Sequence, residues 1–413
     1  MKVVTKKNPI ISKHGVCDPH IHIFNDRVYL YASHDAPGEH MFDMYDWEIW
    51  SSADMITWEK ESSVRPEDTS MGASYECWAV DAAEKNGKYY MYLSNGMKET
   101  YVVESDDPGK GFVDKLGKPI LEEHVSKTRS YDPAVFTDDD GESYIIFGTP
   151  VWAGGDSYYI AKLNEDMVSL AEAPRKILVD DAADDKPFLH KHNGIYYLTW
   201  ASYYATSDNI YGPYKLRGNL NLSTDHGSFF EWNEQWFMAF TVDETLHKMR
   251  RATGIAYIHY CENGDMRADQ LIREYGVGQY DANWNEIEAE WFMKGHQTEK
   301  KENTYGNFDV ILKDGSWVEY PNIHNMPENP WLIIHAVSEE DVDIDVYEGD
   351  TLLGTLKKEK SGLMTEEFKS YKNPFFQYNG AKLQLPLSAG THSLRLVAKG
   401  NMKLNYIRIA EDN

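Results

Sequence analysis

The stretch DKPFLHKHNGIYYLTWAS, residues 185–202, contains the unit from which most of this chain is built. A short polar turn, Asn193-Gly194, is followed at once by an aromatic-rich segment, IYYLTWA. Asn-Gly between alternating apolar residues is a strong signal for a two-residue β-hairpin. The stretch therefore predicts a hairpin whose first strand begins near Asp185.

The same unit occurs five times along the chain. Turn onsets at 25, 86, 140, 193 and 233 are separated by 61, 54, 53 and 40 residues, a spacing typical of propellers and arrays. Helical periodicity is nearly absent before residue 284, so the chain is predicted to be all-β. The other four turns and strands are Asn25-Asp26 with RVYLYAS, Asn86-Gly87 with KYYMYLS, Asp140-Gly141 with ESYIIFG and Asn233-Glu234 with QWFMAF.

One residue per repeat is expected to converge at a common centre. In a closed radial array, the innermost strand of every blade begins near the axis. The predicted inner strands begin seven or eight residues before each turn. The residues at those positions are Asp18, Trp78, Asp132, Asp185 and His226.

A different pattern begins near Tyr280. About six alternating segments, from WVEYPNI to KLNYIRI, suit a separate β-sandwich of the jelly-roll kind. The predicted domains are a five-bladed propeller over 1–283 and a sandwich over 284–413.

Composition narrows the classes of partner. The 413 residues carry 67 Asp and Glu against 41 Lys and Arg, a formal charge of -26, which disfavours nucleic acid and anionic membranes. Three scattered cysteines predict reduced thiols, and no apolar stretch is long enough to span a bilayer. The N-terminus lacks an apolar signal region, so a cytoplasmic location is expected, or a secreted or periplasmic one if a leader had been removed.

Three of the converging residues are carboxylic acids, and this suggests a chemistry. Hydrolysis of a glycosidic bond needs a protonated acid for the leaving oxygen and an ionised base for the attacking water. Asp18, Asp132 and Asp185 would supply both, with a third carboxylate to tune the acid. The alternative is that Asp18-Pro19 and Asp132-Pro133 are only turn starts. His20 and His22, on one face of a strand, would be hydrogen-bonded histidines or a metal pair.

The five motifs DPHIHIFNDRVYLYASHD, CWAVDAAEKNGKYYMYLS, SYDPAVFTDDDGESYIIFG, DKPFLHKHNGIYYLTWAS and HGSFFEWNEQWFMAF together resemble glycoside hydrolase family 43 over about residues 14–283. That resemblance implies inverting enzymes on a five-bladed β-propeller. It implies Asp18 as general base and Asp132 as the residue that raises the pKa of the acid. It places Trp78, Arg251 and His226 at the sugar pocket, with an ion or water near His226. His34 is expected at the pocket rim.

The sequence departs from the family's pattern at the position of the general acid. The family's acid is usually a Glu two residues before Pro, as in Glu-Gly-Pro, and this chain has Asp185-Lys186-Pro187 there. Asp is shorter by one methylene, and a misplacement of about 1 Å can cost on the order of a hundredfold in rate. Either Asp185 is the acid or Glu76, beside Trp78, supplies it from the neighbouring blade.

The segments IEAEWF, DGSWVEY and AGTHSLRLVAKGNMKLNYIRI are similar to carbohydrate-binding module family 6. That resemblance implies a structural Ca²⁺ held by Glu288, Glu290 and Asn405, ligands of the oxygen type that Ca²⁺ prefers. The family's sugar-stacking aromatics fall near Ile311 and Phe375, so glycan binding and a structural role both stay open.

The resulting hypothesis is an exo-acting glycosidase without an organic cofactor that acts on neutral plant-type oligosaccharides or polysaccharides. It would release α-L-arabinofuranosyl or β-D-xylosyl units with inversion. A retaining enzyme of the sucrose and fructan type is disfavoured because its Asn-Asp-Pro-Asn-Gly motif is absent; the sequence has Cys17-Asp18-Pro19-His20 instead. The other alternative is a non-catalytic or weakly active glycan-binding propeller whose general acid is degenerate.

Overall fold

The computed structural model describes residues 1–38, 42–180, 184–222, 225–245, 250–269, 272–303, 306–361 and 379–411. The chain forms two compact units. The domain boundary after residue 283 stays a prediction. The first unit comprises Met1–Phe230, Phe237–Ala256 and Gly264–Gly276, and the second comprises Glu231–Trp236, Tyr257–Asn263 and Val277–Asn413.

Five sheets succeed one another up to residue 268. Each is a meander in which sequence neighbours pair, and β1 adds to the outer edge of the first sheet, beside β5. The first two sheets are β1 (Lys2–Val4), β2 (Val16–Phe24), β3 (Arg27–Asp35), β4 (Met44–Ser52) and β5 (Thr57–Val64), then β6 (Cys77–Lys85), β7 (Lys88–Asn95) and β8 (Glu99–Ser105). The third and fourth are β9 (Ala134–Thr137), β10 (Ser143–Thr149), β11 (Ser157–Lys162) and β12 (Arg175–Lys176), then β13 (Phe188–His192), β14 (Ile195–Trp200), β15 (Tyr203–Ser207) and β16 (Lys215–Asn219). The fifth is β17 (Gly227–Trp232), β18 (Gln235–Thr245), β19 (Arg250–Tyr260) and β20 (Met266–Ala268).

The repeated turns form the predicted hairpins β2–β3, β6–β7, β9–β10, β13–β14 and β17–β18. At Asn193-Gly194 the φ angles are 48° and 79°, and at Asn25-Asp26 they are 52° and 58°. Two positive φ angles define the type I′ turn, whose twist matches that of the flanking strands. The local sequence therefore determines these hairpins.

The inner strands form a closed ring. Strand β2 contacts β6, β6 contacts β9, and β9 contacts β13. The ring continues where His190 of β13 stacks on Phe229 of β17, with ring centroids 4.5 Å apart. It closes where the backbone N–H of Ile21 in β2 donates to Ser228 Oγ of β17 at 3.0 Å. A ring of inner strands brings their starting residues together around one axis.

Aromatic residues fill the spaces between neighbouring sheets. Tyr92 and Phe147 belong to one buried cluster between the second and third sheets. Tyr158 and Trp200 belong to another between the third and fourth sheets. Aromatic side chains bury the most area per residue, so these clusters stabilise the contacts between blades.

The second unit contains two further sheets of six strands each. Alternate residues of both sheets are buried, such as Ile344 and Val346 in one and Leu332 and Ile334 in the other, a pattern expected of two sheets packed face to face. One sheet contains β21 (Tyr280–Asp281), β23 (Lys294–His296), β26 (Trp317–Met326), β28 (Val342–Glu348), β29 (Thr351–Lys358) and β31 (Gly390–Lys399). The other contains β22 (Ile287–Glu288), β24 (Glu299–Glu302), β25 (Phe308–Leu312), β27 (Trp331–Val337), β30 (Asn379–Gln384) and β32 (Met402–Ala410).

Helical structure within the described ranges is sparse. It consists of one α-helix, Ile272–Tyr275, and the 3-10 helices Pro66–Asp68, Val151–Ala153 and Ala289–Trp291. None of these helices is long or apolar enough to cross a membrane. The prediction of an all-β chain with a five-bladed propeller followed by a β-sandwich is confirmed.

Candidate active site

A pocket of about 340 Å³ opens where the inner strands meet. It is lined by six of the eight residues predicted for the catalytic and sugar-binding site. Every blade contributes at least one of them, as the common phase of the repeats predicts. These six residues are Asp18, Trp78, Asp132, Asp185, His226 and Arg251.

Asp18 and Asp132 have an unusual backbone conformation at the entry to their blades. Their φ angles are 49° and 52°, in the left-handed region that few non-glycine residues adopt. Both precede proline, which further restricts the allowed conformations. A strained backbone conformation of this kind is kept only where contacts with the surrounding structure hold it in place, and such positions are common at functional sites. An ordinary Asp-Pro turn start does not require this conformation.

One side of the pocket is built on Arg251. Its Nη1 donates to Asp18 Oδ1 at 2.7 Å. Its Nη2 and Nε donate to the two oxygens of Asp35 at 2.9 and 3.2 Å, a bidentate contact that fixes the plane of the guanidinium. Burial raises the pKa of Asp18, and Arg251 opposes that rise. Asp18 is thus a buried carboxyl oriented by a fixed cation, a suitable arrangement for a proton acceptor.

The opposite side of the pocket contains Asp132 and Asp185. The Tyr131 hydroxyl donates to Asp185 Oδ2 at 2.7 Å, and Lys186 Nζ lies 2.5 Å from Asp185 Oδ1. Burial raises the pKa of Asp185, but Lys186 and the Tyr131 hydrogen bond outweigh burial, so that pKa lies below its usual range. Burial and the neighbouring Asp185 hold the pKa of Asp132 well above its usual range.

This ordering differs from the sequence expectation. Asp132 was expected to keep Asp185 protonated, by repulsion between like charges. In the structure the pKa of Asp132 is raised and that of Asp185 is lowered, because Lys186 pairs with Asp185 directly. Repulsion between the carboxylates alone would raise the pKa of Asp185, and the contact with Lys186 reverses that effect.

Lys186 connects three carboxylates at the pocket. Besides Asp185, its ammonium lies 2.9 Å from Asp225 Oδ1 and 3.0 Å from Asp184 Oδ1. Asp225 Oδ2 in turn accepts from Arg251 Nη1 at 3.3 Å. A continuous series of ion pairs therefore runs from one side of the pocket to the other. The φ of Lys186 is 59°, a conformation more readily adopted by glycine.

The sequence reasoning did not assign Lys186, Asp225 or Tyr131 to the site. Each is adjacent in sequence to a residue that was assigned: Lys186 to Asp185, Asp225 to His226 and Tyr131 to Asp132. Lys186 also stands where the resembling motif has glycine. A charged residue in place of that glycine was the feature of the sequence that could have indicated a role for Lys186 in the site.

Aromatic residues form one wall of the pocket. Trp78 makes edge contacts with Phe42 and Tyr131, with ring centroids 6.0 and 6.1 Å apart. The Trp78 indole N–H donates to the carbonyl oxygen of Phe42 at 3.1 Å, which fixes the ring. Fixed aromatic rings beside carboxylates offer apolar surface and hydrogen-bond acceptors together, as in most small-molecule sites.

His226 belongs to a buried series of polar side chains. Its Nε2 lies 3.1 Å from His20 Nε2, and His20 Nδ1 lies 2.8 Å from Asp81 Oδ1. His22 Nε2 lies 2.6 Å from the same oxygen. Burial lowers the pKa of His226 well below its usual value, so this ring is neutral. His20 and His22 share a face, as predicted, and on that face both contact Asp81.

His34 and Glu76 do not line this pocket. Along β3, side chains alternate between faces, so Asp35 contacts Arg251 while His34 points the other way and contacts Asp46 at 2.7 Å. Glu76 is turned away because the N–H of Trp78 donates to the Glu76 carbonyl at 2.8 Å, which bends the chain just before β6. The Glu76 carboxylate lies 3.3 Å from Lys98. The prediction that these two residues contact the sugar is not supported.

The carboxylates predicted to bind Ca²⁺ lie in the second unit, against the start of β25. Asn307 Nδ2 donates to Glu288 Oε1 at 3.3 Å, and the N–H of Phe308 donates to Glu290 Oε1 at 3.2 Å. Asn405 Nδ2 donates to Asp309 Oδ1 at 3.0 Å. The three predicted ligands thus contact three consecutive residues. Of the two aromatic positions of the expected sugar cleft, Ile311 lies in β25, and Phe375 lies outside the described residues.

Comparison with known proteins identifies relatives of this arrangement. Residues 6–266 match the model of the family described as Glycosyl hydrolases family 43. The chain is 29% identical over 295 residues to a xylosidase/arabinosidase of Bacteroides ovatus, across 57% of this chain and 88% of that protein.

Two solved structures share the fold. The family 43 (GH43_1) enzyme of Xanthomonas citri complexed with xylotriose has 28% identity and a TM-score of 0.55 over 63% of this chain and 92% of its own. An arabinoxylan arabinofuranohydrolase of Bacillus subtilis in complex with cellotetraose has a TM-score of 0.58 over 99% of both chains. At 20% identity, that second likeness shows the fold alone, here for both units.

Proposed function

The chain belongs to glycosyl hydrolase family 43, and we propose that it releases α-L-arabinofuranosyl or β-D-xylosyl units from the ends of plant-type oligosaccharides and polysaccharides, with inversion. The names of its relatives support this substrate class, since the Bacteroides ovatus protein is a xylosidase/arabinosidase. The substrate is neutral. A pocket crossed by paired charges, with an aromatic wall, suits a neutral sugar.

The observation that carries the proposal is the meeting of three aspartates in one pocket. Asp18, Asp132 and Asp185 all line it. Asp18 is the base that removes a proton from water, because Arg251 orients it and burial raises its pKa. Asp185 donates a proton to the leaving oxygen. Asp132, whose pKa is raised by burial and by the neighbouring Asp185, would orient the acid.

Proton donation by Asp185 requires a change at Lys186. In the described pocket the ammonium lies 2.5 Å from the Asp185 carboxylate, which favours the ionised form. The bound glycan must therefore weaken the Lys186 contact before Asp185 can act as an acid.

The second candidate is a non-catalytic or weakly active glycan-binding propeller. The Lys186–Asp185 contact favours it, because a permanently ionised carboxylate cannot donate a proton. Both candidates place a sugar in the same pocket, and they differ only in turnover.

Incubation with 4-nitrophenyl α-L-arabinofuranoside and 4-nitrophenyl β-D-xylopyranoside distinguishes the candidates. Release of nitrophenol supports the hydrolase, and proton NMR of the first-formed sugar anomer tests inversion. Sugar binding without release supports the second candidate. Absence of both binding and release contradicts the two together.

For the second unit we propose a relationship to carbohydrate-binding module family 6 and a structural Ca²⁺ ion. Glu288, Glu290 and Asn405 would hold the ion, with Asp309 beside them as a further carboxylate. The chemistry of this donor set fits, because Ca²⁺ takes several oxygen ligands. The contacts of these side chains with residues 307–309 support the proposal.

A further inference from the structure

A second cleft shares a wall with the catalytic pocket. Trp152 lines both the pocket of about 340 Å³ and a larger cleft of about 660 Å³. It lies in the 3-10 helix Val151–Ala153, after β10, and is 65% exposed. This exposed indole is therefore shared by the linings of the two cavities. We call the larger one the Trp152 cleft, defined by Pro150, Trp152, Lys176, Leu178, Asp180 and Lys215.

The floor of the Trp152 cleft is a fixed piece of backbone. The N–H of Ile177 donates to the Tyr158 carbonyl at 2.9 Å on one side. On the other side, the N–H of Tyr214 donates to the Leu178 carbonyl at 2.7 Å, and the N–H of Asp180 donates to the Tyr214 carbonyl at 3.2 Å. This segment is therefore bonded to the third and the fourth sheets at once. A floor held on both sides is pre-organised, which lowers the entropic cost of binding.

The lining has the chemistry of a site for neutral sugars. Leu178 is 62% exposed and, like Trp152, offers apolar surface to the cleft. Around it stand two cations and two carboxylates, with Lys176 and Asp156 3.1 Å apart and Lys215 and Asp180 also lining the cleft. The two positive and two negative charges balance, so the lining offers an anionic ligand no net electrostatic attraction. Apolar surface with a few polar groups at its edge is the usual composition of a ligand site.

We propose that the Trp152 cleft binds the leaving-group portion of an oligosaccharide whose terminal sugar occupies the catalytic pocket. This inference rests on the proposed function, since an exo-acting enzyme must accommodate the rest of the chain outside the pocket. Trp152 marks the direction in which that chain leaves. The cleft has nearly twice the volume of the pocket, as a ligand of more than one sugar unit requires.

The test compares a short and a long substrate. Leu178→Asp introduces a charge into the cleft without altering any residue that lines the catalytic pocket. Leu352→Asp is the matched control, because Leu352 is 51% exposed and lies in the other unit. For Leu178→Asp we expect kcat/KM to fall about 10-fold on xylotriose or arabinotriose, within the range for one pocket contact. On the 4-nitrophenyl glycoside it should change less than about 2-fold.

Each outcome bears on the inference. Equal loss on both substrates, no loss on either, or the same selectivity in Leu352→Asp overturns it. If Leu178→Asp does not fold, Leu178→Gln takes its place and the expected selectivity is the same. If the wild-type protein cleaves aryl glycosides but Leu178 variants show no selectivity, only the cleft inference fails. If it cleaves no glycoside at all, the proposed function and this inference fail together.

Discussion

The two sides of the pocket hold their carboxylates in different ways. On one side, Arg251 makes a bidentate contact with Asp35 and a single contact with Asp18. On the other, Lys186 contacts Asp185 with a flexible ammonium and lowers its pKa. Arginine presents a rigid fork, whereas lysine is a mobile point charge. Arg251 orients the proposed base, whereas the Lys186 ammonium, which is shared among Asp184, Asp185 and Asp225, must be drawn away from Asp185 before that residue can act as an acid.

The largest expected effect is on the Asp18 side. Asp18→Asn removes the group that accepts a proton from water, so activity should fall about 10²- to 10⁴-fold on every glycoside, the usual contribution of a general base. Steady-state rates on aryl and oligosaccharide substrates measure this. Asp139→Asn, at an acidic side chain that is 84% exposed, is the control and should remain active. Substantial activity in Asp18→Asn would remove Asp18 from the mechanism.

The Asp185 side should show a loss that depends on the leaving group. Asp185→Ala removes the proposed acid, and a good leaving group needs little protonation. The loss should therefore be about 10²-fold on oligosaccharides and much smaller on 4-nitrophenyl glycosides. The ratio of kcat/KM between the two substrate types is the readout. Equal losses on the two substrate types would assign the acid to a residue other than Asp185.

Lys186 sets the pH range of the acid. A general acid must be protonated, so activity falls as pH rises through the pKa of Asp185. Lys186 lowers that pKa, and Lys186→Met should raise it and move the basic limb of the kcat/KM profile up by about one pH unit. Lys98→Met removes a lysine that is paired with Glu76 outside the pocket, so it should leave the profile in place. If the basic limb does not move in Lys186→Met, Lys186 does not set the pKa of the acid, and the proposed difference between Lys186 and Arg251 is wrong.

The carboxylates of the second unit give the smallest effect, because they lie outside the catalytic pocket. If Glu288 and Glu290 hold Ca²⁺, a chelator should lower the melting temperature, since a ligand bound only to the native state stabilises it. Each kcal/mol lost corresponds to about 2–4 °C in a protein unit of 150–250 residues. Glu290→Gln should reduce the response to chelator. The same melting curve with and without chelator would argue against the ion.

The sequence predicted the aspartates well and their neighbours poorly. Asp18, Asp132 and Asp185 have the same phase relative to their hairpins, and that phase alone brought them to one pocket. His34 was assigned from its position near a strand end, but strand alternation puts it on the opposite face from Asp35. Glu76 was assigned by adjacency to Trp78, and one backbone hydrogen bond turns it away.

The sequence by itself determined the hairpins and the convergence of their first residues, because the hairpin turns and strand alternation are local and repeat along the chain. Only the tertiary structure decided which carboxyl has the raised pKa and which has the lowered one. Arg251 is 233 residues from Asp18, and Asp225, which contacts both cations, comes from another blade than Asp185. A pKa depends on burial and on the distance to charges that the fold brings together. Such distances arise only when the blades close.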